Sequence, residues 1–199
     1  MKPMRTERLI LRNWEDRDRE LFHRINSDER VMEFFPFRRD RVAADAKMDE
    51  VRAWIDKDGY GFAAAEIAAT GECIGFVGLL DTDHVPSLPA GTIEIGWRLA
   101  PEFWGKGYVT EASEAWLAYG FETLAVDEIV SFAVAANHRS TAVMKRLGMT
   151  ADPSADFDHP DIPDSHPKLK RHVLYRLSRE NWRARKRRLV SRLFWESPD

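Results

Sequence analysis

The sequence predicts an α/β (α+β) fold in which helices flank one mixed sheet. Three observations carry this expectation. A strand, a glycine loop, a helix, a second strand and a second helix follow one another between Thr92 and Leu147. Two apolar runs, 62–67 and 73–80, flank the turn signal Ala69-Thr70-Gly71-Glu72 and read as a hairpin. A chain of 199 residues, 44% hydrophobic and 32% charged, can bury one core, so a single domain is expected.

The elements follow in order. Thr6 to Arg12 alternates as a short strand, and Asp16 to Ser27 places Leu21, Phe22 and Ile25 at helical spacing. A second helix is expected from about Arg41 to Asp56, with Val42, Ala46, Val51, Trp54 and Ile55 apolar, stopping near Gly59 and Gly61. After the hairpin, Pro86, Pro89 and Gly91 mark a loop, then Thr92 to Leu99 reads as a strand and about Val109 to Thr123 as an amphipathic helix. Glu128 to Val134 is rich in β-branched and aromatic residues, as strands are, and a helix from about Ser140 to Leu147 ends at Gly148. Residues 152–167 hold four prolines and five aspartates and are expected to form a long loop. His172 to Leu177 alternates again, and Ser178 opens a last helix to about Trp195. Residues 1–178 therefore read as one domain, with 179–199 as a basic helix appended to it.

Composition bounds the function. No apolar run approaches the roughly 20 residues a membrane helix needs, and Met1 to Arg12 alternates charge with aliphatics, unlike a secretion signal. A cytoplasmic protein without a membrane partner is expected. The single cysteine, Cys73, lies in an apolar strand with no evident positive neighbour, and reads as a structural thiol. Charge is uneven: Lys168 to Arg192 carries eleven Lys or Arg against Glu180 alone, leaving 19 basic and 32 acidic residues elsewhere. The acidic body suits an amine-bearing acceptor, and the basic segment suits phosphate, an acidic partner or solubility.

The strongest chemical signal is Ile95-Gly96-Trp97-Arg98-Leu99-Ala100-Pro101-Glu102-Phe103-Trp104-Gly105-Lys106-Gly107-Tyr108-Val109-Thr110-Glu111-Ala112. Gly105 and Gly107 permit backbone conformations that a Cβ forbids, and the first-turn N–H groups of the following helix can hold an anion such as a pyrophosphate. A tight turn into a helix is the plainer alternative. The segment resembles the acetyl-CoA-binding signature of the GNAT superfamily, Arg or Gln-x-x-Gly-x-Gly or Ala. It departs from that signature at both ends, as Trp104-x-x-Gly107-x-Val109. Trp104-Gly105-Lys106-Gly107-Tyr108 is similar to the ribosomal-protein N-terminal acetyltransferase branch. A second block, Asn137-His138-Arg139-Ser140 through Gly148-Met149, resembles the same family's Asn-x-x-Ser helix, and Thr6 to Arg12 with Asn26-Ser27-Asp28 resembles that branch too.

The resemblance implies a GNAT fold: a central mixed, mostly antiparallel sheet of about seven strands, splayed between 92–99 and 128–134, with acetyl-CoA as cosubstrate in the gap. It implies that backbone groups of Trp97, Arg98 and Leu99 pair with pantetheine. The loop of Trp104, Gly105, Lys106, Gly107, Tyr108, Val109 and Thr110 would take the diphosphate, and Asn137 the pantetheine arm. Asn137 and Ser140 also read simply as a helix cap. Two roles known in relatives do not transfer: a thiolate-protonating Tyr position is Met144 here, and a Glu base position is Phe132. Glu94 is the candidate base, against a reading as a salt-bridged strand residue, and Ser140 is the candidate acid. Asp156, His159 and His166 fall on the acceptor side by the same resemblance, against a reading as solvated loop residues. No metal-ligand spacing is convincing, and no metal is inferred.

An N-acetyltransferase acting on a primary amine is therefore expected. An α-amine of pKa about 7.7–8.0 is already neutral in substantial part at cytoplasmic pH, whereas a lysine near 10.4 costs about 4 kcal/mol to deprotonate. A site with no evident strong base thus favours a peptide N-terminus. A small amine, such as an amino acid, polyamine or antibiotic, is the rival acceptor, and a non-catalytic acyl-CoA sensor is a third reading. No DNA partner is expected. The last helix, with Trp182, Leu189, Val190 and Leu193 partly along one face, is expected to dock on protein, either its own domain or a second subunit in a homodimer, rather than on RNA or a membrane.

Overall fold

The computed structural model describes residues 1–195 apart from 84 and 86, and for 188–195 the helix backbone only. Leu9 and Leu11 point inward from the strand Leu9–Arg12 (β2), which follows the two-residue strand Met4–Arg5 (β1). Phe62–Ile67 (β3) and Cys73–Asp81 (β4) form the expected hairpin, then come Ile93–Leu99 (β5) and Glu128–Val134 (β6). Thr150–Ala151 (β7), Phe157–Asp158 (β8) and Arg171–Ser178 (β9) complete one nine-stranded sheet in the order β1-β2-β3-β4-β5-β6-β9-β7, with β8 also paired to β9. Three strands have no counterpart among the segments read as strands; each is two residues long, too short for any alternation to show. Every pairing is antiparallel except β5 with β6.

Helices cover both faces. Arg19–Ser27 (α1), preceded by a 3-10 turn at Asp16–Asp18, and Arg41–Asp58 (α2) lie on one face, where Trp14 meets Phe22 and Phe76 edge-on at 4.8 and 6.4 Å. The buried stripe of α2 is Ala44, Met48, Val51 and Ile55, while Val42 is 79% exposed. The reason is the cap: Asp40 accepts from the Ala43 N–H at 2.8 Å, and this start turns Val42 outward. Tyr108–Ala118 (α3), continued by a π turn at Tyr119–Thr123, and His138–Arg146 (α4) lie on the other face. Gly120 allows the close approach there, since a Cβ would stand 2.6 Å from the Ile129 side chain.

The stretch 152–167 is more ordered than its prolines suggest. A 3-10 turn at Pro153–Ala155 and β8 break it up, and two aspartates tie it to β9: Asp156 accepts from the Leu174 N–H at 2.9 Å and Asp152 from Arg176 at 2.7 Å. A short helix, Pro167–Lys170 (α5), leads into β9. Arg179–Trp195 (α6) begins with the Asn181 N–H on the Ser178 hydroxyl at 3.2 Å and lays buried Trp182 on Phe121, with ring centroids 5.2 Å apart. Of the apolar face expected on this helix, Leu189, Val190 and Leu193 lie outside the described side chains.

Candidate active site

The sheet opens at its one parallel seam. β5 and β6 pair only at Ile93 with Ile129 and Glu94 with Val130, although β5 runs to Leu99 and β6 to Val134. Each strand is held on its far side, β5 by β4 and β6 by β9, so the two diverge beyond Glu94. The antiparallel ladder fixes which backbone groups face the gap. Thr82 N–H donates to the Thr92 carbonyl and Ala100 N–H to that of Ile74, both at 3.0 Å, at the two ends of one continuous register. Even-numbered β5 residues therefore bond β4, and Ile95, Trp97 and Leu99 turn toward the gap. The expectation for Arg98 is corrected accordingly: its backbone belongs to β4. The Leu99 carbonyl accepts the Trp104 indole N–H at 2.8 Å. Trp97 thus offers the open edge its N–H and carbonyl both, and Leu99 its N–H.

Past Leu99 the chain makes a 3-10 turn at Pro101–Phe103 and reaches α3 through Gly105 (φ 72°) and Gly107 (φ 80°). Gly107 caps α3 with no side-chain acceptor on the first-turn N–H groups, and nothing stands within 4 Å of a Cβ built at Gly105. An open, uncapped helix start of this kind is a ready anion site, and it lies at the end of an unpaired strand edge. A diphosphate joined to an extended amide chain fits both features. Val109, the odd residue of the motif, packs its side chain against the core, so its methyls do not occupy the anion site.

The loop is held from outside by the start of the chain. Glu111 accepts from the Thr6 hydroxyl at 2.6 Å, the Arg8 N–H at 2.7 Å and the Arg8 guanidinium at 2.6 Å. Arg8 also donates to the Lys106 carbonyl at 3.0 Å and lies 4.6 Å over the Tyr108 ring. On the other side Arg139 of α4 stacks 4.6 Å over Trp104 and pairs with Glu33 at 2.7 Å. The glycine loop is fixed by cations at both flanks.

Glu94 sits at the last paired position of the seam, on the α1/α2 face with Gly96 and Arg98. Its Oε1 lies 3.3 Å from where a Gly96 Cβ would stand, so the carboxylate leans along the strand into the mouth of the gap. Among the described residues it has no hydrogen-bond or ion-pair partner, and burial pushes its pKa up to about 8. Glu94 is therefore not a salt-bridged strand residue among the described residues.

The model of a family described as an acetyltransferase (GNAT) domain matches residues 8–150. The chain belongs to the GNAT acetyltransferase family. It is 28% identical over 199 aligned residues, 96% of this chain and 83% of the relative, to "FsC-acetyl coenzyme A-N(2)-transacetylase" of Aspergillus fumigatus. It is 30% identical over 72% of this chain to a Bacillus subtilis protein named "Uncharacterized N-acetyltransferase YnaD", of which 80% is covered. The solved acetyltransferase from Agrobacterium tumefaciens superposes with a TM-score of 0.71 at 29% identity, over 89% of this chain and 94% of that one. The protein is thus an N-acetyltransferase of a family that takes its acetyl group from acetyl-CoA.

The remaining predicted residues of this GNAT enzyme fall as follows. Asn137 caps α4, its Oδ1 accepting from the Ser140 N–H at 3.1 Å, while the Ser140 hydroxyl has no partner among the described residues. Met144 is buried, and Phe132 joins a ring cluster with Phe157, His159 and His172, in which the two imidazoles are 4.9 Å apart. Burial lowers the pKa of His172, whose Nδ1 is 2.9 Å from the Lys170 carbonyl. His166 is exposed beside Ser165, and Asp156 accepts from the Leu174 N–H of β9. Cys73 is a structural thiol, its pKa pushed up to about 12 by burial. Two features escaped the sequence reading: the Thr6–Arg8–Glu111 anchor and the Arg98 side chain, which donates to Asn26 Oδ1 at 2.5 Å. Their partners lie 72 or more residues apart, and no spacing rule connects them.

Proposed function

We propose that this enzyme transfers the acetyl group of acetyl-CoA to the α-amine of a peptide or protein N-terminus, by direct attack within a ternary complex. The observation that carries the reading is Glu94: an unpaired carboxylate at the mouth of the seam, with a pKa raised to about 8. An N-terminal ammonium also titrates near 8, so proton transfer from it to Glu94 is close to isoergic. A lysine ammonium near 10.4 would be about 3 kcal/mol uphill.

In this reading the backbone of Trp97 and the N–H of Leu99 hold the pantetheine arm, and Gly105 to Thr110 hold the diphosphate. The neutral amine attacks the thioester carbonyl, the tetrahedral intermediate collapses with loss of the C–S bond, and Glu94 keeps the amine's proton. The Ser140 hydroxyl passes a proton to the departing thiolate and recovers one from the nitrogen of the collapsing intermediate, so the two protons lost by the ammonium end on Glu94 and on the CoA sulfur. The motif Trp104-Gly105-Lys106-Gly107-Tyr108 supports a place in the ribosomal-protein branch. A small-molecule amine is the second reading, favoured by the relative whose name describes transfer to an N(2) position.

The test is calorimetric titration of acetyl-CoA, followed by thiol release with matched peptide and small-amine panels. Micromolar binding with turnover on peptide N-termini is the expected result. Preferential turnover of lysine side chains would overturn the acceptor, and no binding would overturn the assignment of the Gly105–Thr110 loop.

A further inference from the structure

Arg98, on the Glu94 face of β5, and Arg39 near it are partly buried arginines with no carboxylate at salt-bridge distance. Arg98, on β5, lies on the same face as Glu94, four residues along the strand, or about 13 Å between Cα atoms. Its guanidinium is sandwiched by rings, 4.3 Å from the Phe35 centroid and 5.4 Å from that of Phe76, and its one recorded hydrogen-bond acceptor is the neutral amide of Asn26. Arg39 stands near enough to act on Arg98 electrostatically, lies 4.4 Å over the Phe37 ring, and itself feels the Glu50 carboxylate from beyond salt-bridge distance. Among the described residues, Arg39 and Arg98 are the half-buried arginines with no carboxylate within 4.0 Å, whereas most other arginines are ion-paired.

Burying a guanidinium without an anion is costly, and placing a second beside it adds repulsion. Burial and the like charge of Arg39 both disfavour the charged form of Arg98. A guanidinium does not give up its proton, so the demand is for an anion from outside the chain. The fork of Arg98 has five N–H donors, of which Asn26 uses one, and the flanking rings hold its plane fixed for a planar bidentate partner. Between Arg98 and Glu94 lies Gly96, whose missing side chain leaves the floor to the Phe62 ring, 2.9 Å from a built Cβ.

We propose that the acceptor amine carries a carboxylate, which seats on Arg98 with Arg39 beside it while the amine faces Glu94. The proposal rests on the acetyl-transfer reading above and narrows its substrate. The carboxylate has two sources: the α-carboxylate of a small amino acid, or an acidic side chain close to a peptide's N-terminus. Cationic acceptors such as polyamines are disfavoured by the same pair of arginines.

The test is steady-state kinetics with two matched acceptor pairs, an α-amino acid with its amide, and a peptide with Asp at its second position with the Asn analogue. The carboxylate member of one pair is expected to exceed its neutral partner at least tenfold in kcat/KM, chiefly through KM, and which pair responds identifies the source. Arg98→Gln should bring that ratio close to one, Arg39→Gln should lower it less, and Arg98→Lys should restore part of it. Ratios at or below one in both pairs, a polyamine as the best acceptor, or an Arg98→Gln loss equal on both members would overturn the proposal. Binding of the corresponding N-acetylated products, followed by tryptophan fluorescence, separates this idea from the reading beneath it. A tenfold weaker affinity of Arg98→Gln for the carboxylate product, with no turnover of any amine, would count against the acetyl-transfer reading alone. Equal affinity of the wild type for carboxylate and amide products would overturn the anion site.

Discussion

Two residues of β5, Glu94 and Gly96, stand where the seam opens. Glu94 holds a proton below about pH 8 that the same residue in the unfolded chain releases near 4.3. The raised pKa means that the folded state binds more protons between these values, so stability falls as pH rises from about 4.5 to about 8. Glu94→Gln should therefore gain thermal stability over the wild type as pH rises through that window, and match it near pH 4, by calorimetry. It should also lower kcat/KM by about 10²- to 10³-fold and remove a rise in rate that levels off near pH 8. A variant with the wild-type pH profile would dismiss Glu94 as the base. Gly96 is the second residue. Gly96→Ala drives a Cβ to 2.9 Å from Phe62 and 3.3 Å from Glu94, and should cost about 1–3 kcal/mol in denaturant unfolding, with partial rescue by Phe62→Leu.

At the scale of elements, the seam and the glycine loop depend on anchors supplied from far away in the chain. α3 has no side-chain cap of its own, and Thr6 and Arg8 reach its first turn through Glu111. Burial raises the Glu111 pKa, and the hydrogen bonds and charge of Thr6 and Arg8 outweigh it, so the net shift is downward. A lowered pKa stabilises the fold above the unfolded value and is lost as pH falls through the folded one. Glu111→Gln should cost about 1–3 kcal/mol at pH 7 and much less at pH 3, and should weaken acetyl-CoA binding by loosening Gly107. Unchanged acetyl-CoA affinity at pH 7 would mean that the loop holds its shape unaided. The sequence made the longer elements legible, because apolar runs, alternation and helical spacing over six or more residues are read directly from apolar positions. The corrected assignments, the backbone of Arg98 and the outward Val42, depend on ladder phase and cap geometry, which periodicity does not encode.

Over the whole molecule, two opposed electrostatic facts meet. The chain outside Lys168 to Arg192 carries 19 basic against 32 acidic residues, which suits a basic acceptor, yet Arg98 and Arg39 are partly buried with no carboxylate at salt-bridge distance. Local geometry outweighs the diffuse field, since buried charges are screened far less than surface ones. The basic C-terminal helix begins as an integral part of the packing. Trp182 is 4% exposed on Phe121, and Arg185 and Lys186 pair with Glu114 and Glu122 at 2.6 and 3.0 Å. Trp182→Ala should lower stability by about 3–5 kcal/mol in a single cooperative transition, and a loss under 1 kcal/mol would show that α6 is dispensable to the domain.

What the sequence determined by itself is the order of elements, the glycine loop and the family, because these rest on local patterns of apolar spacing and backbone freedom. The tertiary structure decided where the sheet opens, which backbone groups face the opening, and that Glu94 and Arg98 stand on one face of β5 without an ion-pair partner among the described residues. Those facts arise from the phase of an antiparallel ladder and from contacts across 72 to 105 residues, quantities that exist only once the chain has closed on itself.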